Sequence, residues 1–144
     1  MSVPRLVVHT DVILEHVCQD QSPSALRQAL KKFFCYTTVF NAIELFSLAR
    51  NRSETRAVED AMAAIKVLGL NAKNARSFGN ILASGRVADR WNALVGGLCV
   101  ESRLPLLTDR RREFEKLPGL CLVSTRLVRE LPTAGMILRA AQRA

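Results

Sequence analysis

The sequence predicts an α/β fold in three layers, with a central, mostly parallel sheet of four to five short strands and helices on both faces. Three observations predict it. Short apolar runs alternate with stretches of helical periodicity along the whole chain, the pattern of parallel strands joined by helical crossovers. The chain has 144 residues, the length of one domain, here taken as 1–144. Apolar residues make up 49% of it, and at this size roughly two thirds of the unfolded surface can be buried without a disulfide or zinc staple. A disordered chain and a small disulfide scaffold are both excluded.

Arg5 to Val8 is a short apolar run with two valines, followed by Asp11 and then by Val12, Ile13, His16 and Val17 at helical spacing. A buried strand running into a helix fits both. Ser22-Pro23-Ser24 opens a second helix, with proline near its first turn and Leu26, Leu30, Phe33 and Phe34 recurring. Cys35 to Thr38, an aromatic and two threonines, is the second strand. Ile43, Leu45, Phe46 and Ala49 mark a helix from Asn41 onward, closed by Arg50 and Arg52, whose charge suits a helix C-terminus. Ser53 and Glu54 start another through Ala57, Ala61, Ala64 and Ile65.

Leu68-Gly69-Leu70 is the third short strand, and Asn71 to Gly85 reads as a helix ending in Ser84-Gly85. Ala88 to Ser102 is a helix with a Gly96-Gly97 pair. That pair lacks the spacing of a dinucleotide site and implies close packing instead. Pro105 to Thr108 is the next strand, Asp109 to Leu117 a short charged helix stopped by Pro118-Gly119, and Leu120 to Val123 the last strand. A basic helical tail follows from about residue 125.

Lysine and arginine number 21 against 13 acidic residues, a net charge of +8, and 16 of the 21 are arginine. This balance favours an anionic partner: nucleic acid, an acidic protein or an acidic membrane surface. Cys18, Cys35, Cys99 and Cys121 show no CxxC spacing and sit in apolar runs, so they are expected to be reduced core residues. The longest uncharged apolar candidates, Phe33 to Ile43 and Asn92 to Val100, fall far short of the ~18–20 residues of a membrane span. The N-terminus has no basic region followed by a signal-peptide core. A soluble, cytoplasmic protein is expected.

In an open parallel sheet the functional crevice lies beyond the carboxyl ends of the strands. His9-Thr10-Asp11 follows the first strand, Thr37-Thr38 and then Glu44 the second, and Thr108-Asp109-Arg110 the fourth. Asp89 and Asn92 share one helix face at i, i+3. Each has a structural reading beside a functional one. His9 suits a hydrogen-bonded strand end, Asp11 and Asp109 suit helix N-caps, and Asn92 could satisfy backbone groups. Glu44 lies between Ile43 and Leu45 and is expected to be buried, where a carboxylate needs a partner or a metal. Arg110, Arg111 and Arg112 form a solvated face or, at the crevice, a phosphate contact.

In this order the residues resemble the PIN-domain nucleases, which include toxin ribonucleases of toxin-antitoxin pairs. Val8-His9-Thr10-Asp11-Val12-Ile13-Leu14-Glu15 is similar to the family opening Asp-Thr-(Asn/Ser/Asp)-Val-Leu-Ile-Asp. Thr37 to Leu45 resembles its Thr-x-x-x-x-x-Glu-Leu segment, and Asn92 to Leu98 resembles Asp-x-Leu-Ile-Ala-Ala-x. Leu106-Leu107-Thr108-Asp109, Phe114 and Leu117-Pro118-Gly119-Leu120 look like its closing strand. The resemblance implies a PIN-like sheet and acidic residues around one or two divalent ions that hydrolyse RNA. It also implies an antitoxin protein and a second copy of the chain as partners.

Position by position, Glu44 matches the pattern, whereas His9 and Asn92 stand where the family has Asp. Asp11 falls two residues late in the opening loop, and Asp109 one residue early, with Arg110 at the expected place. The resemblance thus gives Asp11, Glu44, Asn92 and Asp109 as catalytic residues and His9, Asp11, Glu44 and Asp109 as metal ligands. Arg110, Arg111 and Arg112 would contact RNA. Mg2+ prefers oxygen ligands and imidazole favours softer ions, so the cofactor is Mg2+, Mn2+ or none. The expected function is a divalent-metal-dependent endoribonuclease toxin with a weakened metal site. The alternative is a catalytically degenerate module that binds RNA or protein.

Overall fold

Three consecutive aliphatic side chains, Leu6, Val7 and Val8, are fully buried, which requires that the first strand be covered on both faces. A computed structural model, describing residues 3–18 and 22–143, shows how. Strand β1 (Arg5–Val8) is the centre of a five-stranded sheet with β2 (Phe34–Thr38), β3 (Lys66–Leu68), β4 (Leu106–Leu107) and β5 (Leu122–Val123). The order is β3-β2-β1-β4-β5 and every pairing is parallel. Between and after the strands run α1 (Thr10–Cys18), α2 (Ala25–Lys32), α3 (Val39–Leu48), α4 (Arg52–Met62), α5 (Ala75–Ser84), α6 (Arg90–Ser102), α7 (Thr125–Glu130) and α8 (Ala134–Gln142).

Side chains alternate across a strand, and the alternation divides the core. Leu6, Val8 and Leu107 join Ile13, Leu26, Leu45, Val58, Val128 and Ile137 on one face of the sheet. Val7 and Leu106 join Val95, Cys99 and Phe114 on the other. The predicted three-layer architecture is therefore the observed one, and it leaves the C-terminal ends of β1, β2 and β4 to open into one place.

Several boundaries differ from the sequence reading. The second helix stops at Lys32 rather than carrying Phe33 and Phe34, because Phe33 turns extended and Phe34 donates its N–H to Pro4 O at 2.8 Å, starting the pairing with β1. The third strand is Lys66–Leu68, not Leu68–Leu70: its register is Tyr36 to Lys66 and Thr38 to Leu68. It is a largely exposed edge strand, and Lys66 interrupts its short apolar run of Ile65, Val67 and Leu68. Asp109 to Leu117 is not a helix. Only Arg111–Glu113 forms one 3-10 turn, and the chain then dives to bury Phe114 completely.

The basic C-terminal segment is helical, as α7 and α8, and packs on the core. Val128 and Ile137 are fully buried in the main core, and Lys32 Nζ donates to Val128 O at 2.5 Å and to Leu131 O at 3.0 Å, satisfying carbonyls at the end of α7. Cys35 and Cys99 are core residues, as expected, but Cys18 is exposed and Cys121 half-buried. Burial pushes the Cys35 thiol up to about 12, so it is inert. No described helix is long and apolar enough to cross a membrane.

The glycine pair lets α6 approach its neighbours. A Cβ on Gly97 would lie 2.9 Å from Ile81 Cδ1 and 2.9 Å from Phe78 Cε1, and one on Gly96 2.7 Å from Leu117 Cδ2. Gly97→Val should therefore lower stability by about 1–3 kcal/mol through overpacking, read as a lower urea midpoint at unchanged m-value.

Candidate functional site

Each crossover leaves a strand at its C-terminal end and enters a helix, so polar side chains gather there. Thr38 ends β2 and caps α3: its hydroxyl accepts from Asn41 N–H at 3.2 Å, while Asn41 Oδ1 accepts from the Thr38 hydroxyl at 2.7 Å and its N–H at 3.3 Å. This capping box fixes which way the buried Asn41 amide points. Its nitrogen faces β1, donating to Thr10 Oγ1 at 2.9 Å and to His9 Nδ1 at 3.0 Å. A donor at Nδ1 places the His9 proton on Nε2, the neutral tautomer. The His9 ring is buried and meets Phe114 edge-on at 5.1 Å. Burial pushes its pKa below the ordinary 6.5, against the opposing pull of Asp11 and Glu44.

Asp11, at the start of α1, ties β1 to the end of β4. Its Oδ2 accepts from the Thr108 hydroxyl at 3.0 Å and from Asp109 N–H at 2.9 Å, and its Oδ1 from Val12 N–H at 3.0 Å. His9 and Asp11, with Glu44 of α3, Asp89 and Asn92 at the start of α6, Arg110 and Glu113, line one cleft of about 130 Å³. Asp89 caps α6 by accepting from Asn92 N–H at 3.0 Å. The Asn92 amide then donates to Glu113 Oε2 at 3.1 Å, and Arg110 Nη1 lies 3.8 Å from Glu113 Oε1.

The structure thus brings together His9, Asp11, Glu44, Asn92 and Arg110 of the residues singled out in the sequence. Asp109 goes elsewhere. Its carboxylate accepts from Thr125 N–H at 2.9 Å and the Thr125 hydroxyl at 2.5 Å, and it does not line the cleft. Arg111 pairs loosely with Glu115 at 4.0 Å beside a different depression, and Arg112 is exposed, so of the three arginines only Arg110 lines this cleft. Glu44 is half-buried rather than buried, because α3 turns Leu45 inward and leaves Ile43 48% exposed. The sequence reading missed Glu113 and gave Asp89 little weight. The available signal for Glu113 was its place directly before Phe114, which must be buried to cover the sheet.

The nuclease resemblance implies a divalent ion, and the cleft can be tested for it. A hard cation needs several free oxygens converging from different elements. Here Asp11 already takes three protein donors, His9 and Asn92 are neutral, and an arginine shares the space. Among the described residues no three His, Cys, Asp or Glu side chains are disposed to hold a metal ion. The donor set does not fit one.

Comparison with known proteins finds no matching family model and no matching curated protein. Solved structures do match. A chain of VapBC2 from Rickettsia felis, bound to a DNA fragment from its promoter, superposes with a TM-score of 0.71 at 12% identity, over 83% of this chain and 98% of that one. DNA-bound VapBC from Salmonella typhimurium gives 0.70 at 17% identity, over 85% and 98%. VapBC-1 from nontypeable Haemophilus influenzae gives 0.70 at 16%, over 85% and 98%. At such identities the likeness speaks for the fold, which is the PIN-like α/β fold.

The lowered pKa of His9 fixes a sign for pH dependence. The unfolded chain binds the proton more tightly, so stability is full above about 6.5 and falls as pH drops below that value towards the folded pKa. His16, the other histidine, is also lowered, chiefly by burial and then by Arg27. Urea stability should therefore decline between pH 7 and 5.5, and His9→Gln should flatten that decline. An unchanged slope would show that His9 titrates equally in both states.

Proposed function

We propose that this chain is the toxin-fold partner in a two-protein assembly of toxin-antitoxin type, acting in the cytoplasm, and that it binds its partner without cutting RNA. What carries this reading is the state of the cleft. Its strand-end position is a neutral histidine locked by Asn41, its α6 position is an asparagine engaged by Glu113, and the carboxylates of Asp11 and Asp89 are met by protein donors. Metal-assisted hydrolysis needs charge neutralisation and an activated water at such a site, and this donor set supplies neither.

A protein partner is supported by the surface beside the cleft. Ile43, Phe46 and Leu48 of α3 and Trp91 of α6 are large apolar side chains left exposed, and Trp91 is braced edge-on against Phe40 at 5.8 Å. Such patches on a folded chain mark interaction sites. The solved structures of similar fold are of VapBC pairs, which supports an antitoxin as that partner. The net charge of +8 supports additional RNA contact, with Arg110 the one arginine of its run at the cleft.

A second reading is the divalent-metal-dependent endoribonuclease with a weakened site, in which Mg2+ or Mn2+ would sit with Asp11 and Glu44. It is favoured by one observation: four carboxylates, Asp11, Glu44, Asp89 and Glu113, line a single cleft. A fluorogenic RNA decides between the two. Wild-type protein in 5–10 mM Mg2+ or Mn2+, roughly the range that saturates weak carboxylate sites, should cleave it no faster than in EDTA. Metal-dependent cleavage abolished by Glu44→Gln would replace the first reading with the second. Co-expressed with the product of the neighbouring gene, the chain should co-purify with it, and Phe46→Asp should break the complex.

A further inference from the structure

The first residues of β1 and β2 lie at the end of the sheet away from the cleft. In the parallel register Arg5 stands opposite Phe34, Val7 opposite Tyr36, and Tyr36 opposite Lys66. Paired residues share a face and side chains alternate along a strand, so Arg5, Phe34, Tyr36 and Lys66 all belong to the face that carries Val7. At about 3.3 Å per residue, Arg5 is about 13 Å along the strand from His9.

That face is only partly covered. Val95 and Cys99 of α6 close it over Val7 and Leu106, and α5 lies against α6, with Phe78 and Ile81 at Gly97. Phe34 is left 48% exposed and Tyr36 half-buried, their rings 5.1 Å apart and tilted by 52°. One scattered aromatic on a surface needs no explanation. Here two touching rings have a cation on each flanking strand.

The segments that build this end carry charge of one sign. Residues 1–10, 22–43 and 61–88, which hold β1, β2 and β3, contain eight Lys and Arg and no Asp or Glu. Arg5 and Lys66 are exposed and make no ion pair among the described residues. The opposite end of the sheet carries Asp11, Glu44, Asp89 and Glu113 around the cleft, which repel a phosphate chain. An acidic peptide would pair with the two cations and leave the rings unused. A single-stranded nucleic acid offers both phosphates for the cations and base faces for the rings.

We propose that this half-open face binds single-stranded RNA, with a base stacked on Phe34 beside Tyr36 and the adjoining phosphates held by Arg5 and Lys66. The proposal rests on the reading that the chain contacts RNA, and it places the main contact at the end of the sheet remote from the cleft. Stacking and phosphate pairing do not read base edges, so the RNA is held without sequence preference.

The test follows the fluorescence anisotropy of a labelled single-stranded RNA of about eight nucleotides, within the span of one such platform, on titration with the full chain. Wild type is compared with Phe34→Ala, Phe34→Trp, Arg110→Gln, and Arg5→Gln combined with Lys66→Gln, and urea unfolding confirms that each is folded. Wild type should bind the RNA more tightly than an abasic chain of the same length. Phe34→Ala should weaken binding about fivefold or more, the scale of one stacked base, and Phe34→Trp should keep it. The double variant should lower the slope of log affinity against log salt by about 1.4, the value for two phosphate contacts on a single strand. If folded Phe34→Ala binds as wild type does, or the abasic chain binds equally well, no base stacks on Phe34 and the proposal fails. A loss confined to Arg110→Gln puts the RNA at the cleft, which refutes the proposal while RNA contact stands. A dimer that Phe34→Ala dissociates would give the face to a second copy of the chain and also overturn it. Phe34→Ala should still co-purify with the product of the neighbouring gene, so failure here is distinct from failure of the partner reading.

Discussion

Asn41 sits where β1, β2 and α3 meet and commits its whole side chain to them. Its oxygen takes two donors from Thr38, and its nitrogen gives to Thr10 and His9. All four residues are buried, where an unpaired polar group costs about 1–3 kcal/mol, so each bond requires the others. Nearby, Thr37 Oγ1 donates to Val8 O at 2.7 Å, bonding the adjacent strand ends a second time. The consequence is a rigid floor. The helix that carries Glu44 leaves β2 at one fixed angle, and the imidazole of His9 is held in one tautomer with its Nδ1 already used.

On that floor, three of the four cleft carboxylates arrive with a protein donor or cation in hand: Asp11 with Thr108 and Asp109, Asp89 with the start of α6, Glu113 with Asn92 and Arg110. A nuclease of the metal-dependent kind needs the opposite, oxygens left unpaired so that an ion gains by entering. His9 and Asn92 are hydrogen-bonding members of the cleft wall, His9 through Asn41 and Asn92 through Glu113.

The last third of the chain shows how the site and the core share residues. The segment after β4 folds as a single 3-10 turn because Phe114 must reach the sheet, and that same turn presents Arg110 and Glu113 to the cleft. Asp109, at its start, points to Thr125 and fixes the beginning of α7. The two C-terminal helices then close the core through Val128 and Ile137 and are held to α2 by Lys32 and to α1 by the bond of Arg129 to Glu15 at 2.7 Å. The basic helical segment from about residue 125 is a structural layer, with Arg126, Arg139 and Arg143 exposed and Arg129 turned to Glu15.

The sequence by itself determined the fold class, four of the five strand positions, and the fact that His9, Asp11, Glu44 and Asn92 would follow strand ends or open a helix. These depend on periodicity and on the rule that crevices form at the carboxyl ends of parallel strands, both local properties of the chain. It could not place β3 correctly, since the short run Ile65-Lys66-Val67-Leu68 is interrupted by a charge and continues straight into Gly69-Leu70, nor see that Leu45 rather than Glu44 turns inward on α3. Tertiary structure alone decided which acids meet. Asp109 and Glu113 are four residues apart, both acidic and both near the same strand, yet one caps α7 and the other enters the cleft. The burial of Phe114, directly after Glu113, sets the rotation of the turn, and its contact with His9 spans more than a hundred residues of chain.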